Sequence, residues 1–262
     1  MGGLYGDGII ACKGAFDRAW VQRLREDIDV LFDEARSQPG GALERGPNRY
    51  YVEIHPERLR GLQELLGHPW LVAVCTAVLG PDYKVVEAGF DIPGPGAMKQ
   101  PWHRDFASPP ETLVGRRLNS LAFNITTVDV TDELGPLEVA HGTQWDDLGD
   151  GDPMFPPPAL YPRYEARRQR KFPCMGDISA RSALTIHRGT ANVSDRSRPV
   201  FVLGVDAPDG RNAEKHDLQI TSAYYASLPE ELRKHLRCRI VDKLTPIVQA
   251  HTIEGLRMGM RE

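Results

Sequence analysis

A mainly β fold, an all-β sandwich or jelly roll with helices packed outside it, is predicted by three features of the chain. Beyond Pro81 the sequence divides into short apolar runs rich in strand-forming residues. Turn-forming residues separate these runs at close intervals. No helix-period segments alternate with them, which argues against a parallel βαβ layout.

Residues 1–80 read as a mostly helical outer layer. Asp17 is placed to cap a helix in which Trp20, Leu24, Ile28 and Leu31 follow at helical spacing. Gln38-Pro39-Gly40-Gly41 stops it. Asn48 to Val52 is a short candidate strand. Pro56 opens a second helix carrying Leu59, Leu62, Leu65 and Leu66. Gly67-His68-Pro69 breaks that helix, and 70–79 forms a third, ended by Gly80-Pro81. These apolar stripes are expected to cover one face of a sheet.

Strands are predicted from Tyr83 to Ile92, Leu118 to Val130, Pro136 to Ala140, Asp177 to Ile186 and Arg198 to Asp206. Turns at Pro93-Gly94-Pro95-Gly96, Leu134-Gly135-Pro136 and His141-Gly142-Thr143 divide them. Residues 81–210 thus form the core, with 146–172 as a loop insertion. A connection of that length is usually functional or mobile. Its Arg163, Arg167, Arg168, Arg170 and Lys171 suit either a lid with a basic face or a solvated, salt-bridged helix. Residues 211–262 form a C-terminal extension with a short helix from Leu228 to Leu236. The 262 residues are read as a single domain.

A hydrophobic content of 41% and a charged content of 26% suit a globular protein with a real core. The net charge of −4 gives no reason to expect a nucleic-acid partner. No apolar run is long enough to cross a membrane, and the first residues lack the basic and apolar regions of a signal peptide. Cys12, Cys75, Cys174 and Cys238 are far apart and form no CxxC. They read as reduced thiols of a cytoplasmic protein, a monomer or homodimer acting on a small molecule.

Chemistry concentrates in Gln100-Pro101-Trp102-His103-Arg104-Asp105-Phe106. In an extended segment His103 and Asp105 point to one face, so an imidazole nitrogen and a carboxylate oxygen can converge. They would supply two ligands of a 2-His-1-carboxylate triad, which holds iron(II) and leaves positions open. His187, at the end of the apolar run Ser182 to Ile186, is the best third ligand. Eleven residues later Arg198 opens the last core strand. The turn formers between them predict an antiparallel pair that brings His187 and Arg198 to the same end. A guanidinium beside an open-sided iron can hold a carboxylate through two parallel hydrogen bonds. This points to 2-oxoglutarate, which chelates iron with its keto acid end. Trp102, Phe106 and Phe123 are candidates to shield the site, with core packing the stronger expectation for Phe123. Arg104, Arg116 and Arg117 are candidates to flank its mouth.

On these residues the chain resembles the phytanoyl-CoA dioxygenase family of iron(II)- and 2-oxoglutarate-dependent oxygenases. The matching pieces are Gln100 to Asp105, Val128 to Val139 around Gly135-Pro136-Leu137, Gly142-Thr143-Gln144, and His187 through Asn192 and Ser194 to Arg198. The resemblance spans roughly residues 10–210. It implies a double-stranded β-helix, a cupin-like jelly roll. It further implies that His103, Asp105 and His187 bind Fe(II) and that Arg198 binds the distal carboxylate of 2-oxoglutarate. Gln100, Thr127 and Trp145 match the co-substrate pocket loosely.

Two departures stand out. His141-Gly142-Thr143-Gln144 replaces a common Pro-Gly-Ser-His, and Gly189 stands where some members have serine. Asp105 argues against halogenation, which in this fold needs Gly or Ala there. The implied reaction consumes O2 and 2-oxoglutarate, with ascorbate as an in vitro reductant. It oxidises a small organic substrate, such as a natural-product intermediate, most simply by hydroxylation. Desaturation, epimerisation and ring closure are open to the same site. So is a zinc- or manganese-dependent cupin-type isomerase, which would have no use for Arg198. A non-catalytic binding sandwich would bind no iron.

Overall fold

The computed structural model describes residues 2–106, 110–149 and 154–249. Chain order begins with helix α1 (Gly2–Gly6), strand β1 (Ile9–Cys12) and helix α2 (Arg18–Arg36). Strands β2 (Leu43–Glu44) and β3 (Arg49–Glu53) follow, then helices α3 (Leu62–Leu66) and α4 (Pro69–Leu79). Next come β4 (Lys84–Pro93), β5 (Ser120–Thr126), β6 (Leu137–Ala140) and β7 (Arg168–Lys171). They are followed by β8 (Ile178–Ser182), β9 (His187–Gly189) and β10 (Val200–Asp206).

A seven-stranded sheet runs β1-β8-β5-β10-β4-β3-β2, and a three-stranded sheet runs β7-β6-β9. Every pair within these two sheets is antiparallel. This is the double-stranded β-helix arrangement, with helices on the outside. Beyond β10, β11 (Gln219–Thr221) and β12 (Arg239–Val241) form a separate parallel pair.

The strand period divides the large sheet into two faces. Leu121, Phe123 and Ile125 of β5 and Phe201, Leu203 and Val205 of β10 are buried in the main core, against the helical layer. The alternate residues Ala122, Asn124 and Thr126, with Val200 and Val202, line cavities shared with residues of the small sheet. The helices supply the other half of the core. Asp17, in extended conformation, caps α2 by accepting from the Trp20 amide at 2.7 Å. Trp20, Leu24, Ile28 and Leu31 are then buried along one stripe.

Four sequence expectations need correction. The N-terminal layer is less helical than expected, because β1, β2 and β3 join the large sheet. The run expected to be one strand from Asp177 to Ile186 ends at Ser182. There a tight turn transfers the chain to the small sheet. The Thr185 amide donates to the Ser182 carbonyl at 3.0 Å, and the Leu184 amide to the Ser182 hydroxyl at 3.2 Å. In consequence the strands of His187 and Arg198 do not pair: β9 lies beside β6, and β10 lies between β4 and β5. Lastly, the 146–172 insertion is not all loop, since Arg168–Lys171 is a strand of the small sheet. Its Asp152-Pro153 part lies outside the described residues.

Candidate active site

The His-x-Asp segment lies alongside β9. The His103 amide donates to the His187 carbonyl and the His187 amide to the His103 carbonyl, both at 3.0 Å. Gln100 N to Gly189 O at 2.9 Å and Asp105 N to Ala183 O at 3.0 Å extend the contact on either side. Residues directly opposite in an antiparallel pair project to the same face. The two imidazoles therefore meet, with ring centroids 4.3 Å apart.

Each ring is oriented by its own backbone. His103 Nδ1 bonds the Pro101 carbonyl and His187 Nδ1 bonds the Thr185 carbonyl, both at 2.9 Å. A carbonyl only accepts, so Nδ1 carries the proton and Nε2 keeps its lone pair for a metal. Burial, then the neighbouring His187, pushes the His103 pKa well below the ordinary imidazole value. Burial, then the Arg181 charge, lowers that of His187. Both rings are neutral at pH 7, as metal ligands must be.

Asp105 completes the group. Its Oδ1 lies 3.4 Å from His187 Nε2, and its Oδ2 ion-pairs with Arg181 Nη1 at 2.9 Å. Burial alone would raise the carboxyl pKa. The Arg181 guanidinium beside it outweighs burial and holds Asp105 well below the usual carboxylate range. One ligand atom from each of His103, Asp105 and His187 lies within 4.8 Å of the others. Two neutral imidazoles and one carboxylate, with the rest of the sphere open to a cavity, are a donor set that fits ferrous iron.

That cavity, about 140 Å³, is also lined by Arg45, Tyr51, Lys215 and His216. Phe106 lines it, and Phe155 stacks against His103 with centroids 6.1 Å apart. A second cavity, about 300 Å³, adjoins it. Arg49, Asp91, Asn124 and Leu137 line both. Arg198 is buried on the second, where burial lowers its pKa to about 10. Its Nε donates to the Leu134 carbonyl at 3.0 Å. This leaves the other guanidinium nitrogens for the cavity. Gly135 makes the turn beneath it with φ +73°, and a Cβ there would stand 2.7 Å from the Thr190 carbonyl oxygen.

Gln100 is buried on the metal cavity, its Oε1 accepting from the Gly189 amide at 2.8 Å. Thr127 and Trp145 are not in the site. The Thr127 hydroxyl donates to the Pro199 carbonyl at 3.2 Å, while Thr126, one residue earlier, lines the second cavity. Trp145 stacks on Tyr5 and donates its indole N–H to the Tyr5 carbonyl at 3.1 Å. Trp102 belongs to a separate cluster with Tyr164, under the guanidinium of Arg188, and Phe123 belongs to the main core. Arg104 is buried and donates to the Asp146 carbonyl, and Arg117 pairs with Asp209. The insertion's basic residues pair locally: Arg163 with Asp146, Arg168 with Glu165, Arg170 with Asp132 and Glu138.

The fold adds two residues to the site. Arg181 backs the metal carboxylate. Arg49, bonded to Asp91 from Nε at 3.0 Å and also from Nη2, stands between the two cavities. It also accounts for Gly189, because a Cβ there would lie 2.4 Å from Arg49 Nη1. The one local signal was a charged residue inside each otherwise strand-like run.

The sequence model of the phytanoyl-CoA dioxygenase (PhyH) family matches residues 4–200. The chain belongs to this family. Membership places it among the iron(II)- and 2-oxoglutarate-dependent oxygenases. No curated protein matches it. Among solved structures, the chain is similar to the alpha-ketoglutarate-dependent carbocyclase SnoK from nogalamycin biosynthesis. There the TM-score is 0.61 at 20% identity, over 78% of this chain and 82% of that one. The epimerase SnoN, in complex with Fe3+, alpha ketoglutarate and nogalamycin RO, gives 0.64 at 18% identity, over 78% and 80%. EctD from S. alaskensis, with 2-oxoglutarate and 5-hydroxyectoine, gives 0.63 at 16% identity, over 80% and 75%. At these identities the likeness is one of fold. No helix among the described residues is long and apolar enough to cross a membrane.

Proposed function

We propose that this family member hydroxylates a small organic substrate, with His103, Asp105 and His187 holding the iron and Arg198 and Gln100 positioning 2-oxoglutarate. One observation carries the reading. The reciprocal backbone pairing of His103 with His187 brings three ligand atoms within 4.8 Å, and an adjoining cavity holds a buried guanidinium.

Ferrous iron with 2-oxoglutarate and O2 supplies an oxidation in which the co-substrate becomes succinate and CO2. The chain's residues set its geometry. The two carbonyl-anchored imidazoles present Nε2 in fixed directions. Arg181 occupies one Asp105 oxygen and so aims the other at the metal position. Arg198 takes the far carboxylate of the co-substrate by charge-assisted hydrogen bonds. Phe106 and Phe155 cover the metal end and exclude water. The substrate sits in the mouth between Arg45 and Lys215. The origin of SnoK and SnoN in nogalamycin biosynthesis supports a natural-product intermediate as substrate. The same structures, a carbocyclase and an epimerase, make ring closure or epimerisation the second reading.

The test is succinate formation from 2-oxoglutarate with iron(II), ascorbate and a substrate panel, with product analysis for an added oxygen. Arg198→Ala should abolish 2-oxoglutarate turnover. Full metal-dependent activity in that variant, with no succinate, would instead mark a cupin-type isomerase.

A further inference from the structure

The two cavities divide the machinery unevenly. The metal group faces the smaller one, whose partly exposed lining includes Arg45 and Lys215. Among the described residues Arg198 lines the larger cavity and not the smaller. A dicarboxylate reaching from the iron to Arg198 therefore crosses the neck formed by Arg49, Asp91, Asn124 and Leu137. Its chelating end lies in one cavity and its tail in the other.

The larger cavity does not end at Arg198. It continues past Ala11 and Ser179 to an outer rim that includes Lys13, Lys171 and Phe172. Its rim lies in solvent: the Lys13 side chain is 77% exposed and Phe172 is 45% exposed. Of its cations, Lys13 pairs with Asp177 at 3.6 Å, Arg170 pairs with Asp132 and Glu138, and Lys171 bonds His141. At its inner end the buried Arg198 guanidinium attracts an anion. No rim residue of either mouth lines the other cavity.

We propose that 2-oxoglutarate enters, and succinate leaves, through the mouth rimmed by Lys13, Lys171 and Phe172, separate from the mouth that takes the organic substrate. The proposal rests on the assignment of Arg198 to the distal carboxylate. Its consequence is kinetic. The co-substrate exchanges while the substrate mouth is filled, and succinate leaves before or after the oxidised product, in either order.

The test is anaerobic stopped-flow mixing of the Fe(II) protein with 2-oxoglutarate, followed by the visible charge-transfer absorbance of the chelate. Ala11→Trp narrows the first mouth. It should slow association and dissociation together by about tenfold, leaving Kd unchanged, as expected when access and not contact is altered. Lys13→Glu should slow association at low salt, an effect that disappears as salt screens the field. Lys215→Trp, at the other mouth, should leave both rates as in the wild type. Unchanged rates in Ala11→Trp, or equal or greater slowing in Lys215→Trp, would overturn the separate route. Absence of the absorbance in the wild-type protein would overturn the site assignment itself, and the proposal with it. Folding of each variant is read from an unchanged Fe(II) stoichiometry.

Discussion

Adding one methyl group at Gly189 tests whether the co-substrate pocket is packed as described. A Cβ at this position would lie 2.4 Å from Arg49 Nη1, 2.6 Å from Arg49 Nη2 and 2.8 Å from Gln100 Oε1. Neither neighbour is free to withdraw. Arg49 is buried and held by Asp91 at two nitrogens, and the Gln100 amide is fixed by the Gly189 N–H at 2.8 Å. Moving the guanidinium breaks charge-assisted bonds worth about 1.5–3 kcal/mol, and turning Gln100 loses about 1 kcal/mol more. Gly189→Ala should therefore destabilise the protein by about 2–4 kcal/mol, close to the cost of overpacking a core. In a chain of this size that is a fall of about 5–15 °C in Tm. Urea and thermal unfolding measure it directly. In an Arg49→Ala background the methyl group has room, so the second substitution should cost at least ~1 kcal/mol less than it does alone. An effect of Gly189→Ala within about 0.5 kcal/mol of zero, or strict additivity with Arg49→Ala, would refute the packing argument. The serine found at this position in some family members is incompatible with Arg49 where it stands.

Other consequences are equally open to measurement. Arg198→Ala should weaken 2-oxoglutarate binding by about 1.5–3 kcal/mol, or roughly 10- to 150-fold in Kd, read by equilibrium titration. Thr127→Val and Trp145→Phe, both outside the cavities, should change that Kd by no more than about twofold. His216 bonds Glu53, and although its burial favours the neutral ring, the Glu53 bond and the Glu87 charge raise its pKa. Its contribution to stability is then complete below the free imidazole value of about 6.5 and is lost as pH rises through the folded value. His216→Gln should cost about 1–3 kcal/mol at pH 6 and measurably less at pH 9, by urea unfolding. An equal cost at both pH values would contradict the ion pair.

Much of the architecture was legible because its signals are local. Asp17 caps α2 and Trp20, Leu24, Ile28 and Leu31 share its buried face, as their spacing predicts. The strands β5 and β10 fall inside the predicted runs, and β4 passes the end expected at Ile92 by one residue. The break after Ser182 was not visible, because Ala183-Leu184-Thr185-Ile186 is as apolar as a strand and contains neither Gly nor Pro. Its turn is held by the hydroxyls of Ser182 and Thr143, the latter accepting from the Ile186 amide at 3.0 Å. The antiparallel pairing expected between the His187 and Arg198 strands failed for the same reason. Both residues still reach the joined cavities, but from different sheets. Thr127 lies just past the end of β5, while Thr126, the last residue of that strand, lines the second cavity. Trp145 was drawn away by Tyr5, a contact across 140 positions that no local pattern encodes. Arg49 and Arg181 act through partners at Asp91 and Asp105, and such long-range pairs leave no spacing to read.

The most direct measurement is the amount of ferrous iron bound per chain at equilibrium, for the wild-type protein and for His103→Ala, Asp105→Ala and His187→Ala. One iron per wild-type chain is expected, with a large loss of affinity in each variant and all four proteins folded. Wild-type protein that binds no iron, or a His187→Ala variant that binds it as tightly, would contradict the meeting of these three side chains at one metal.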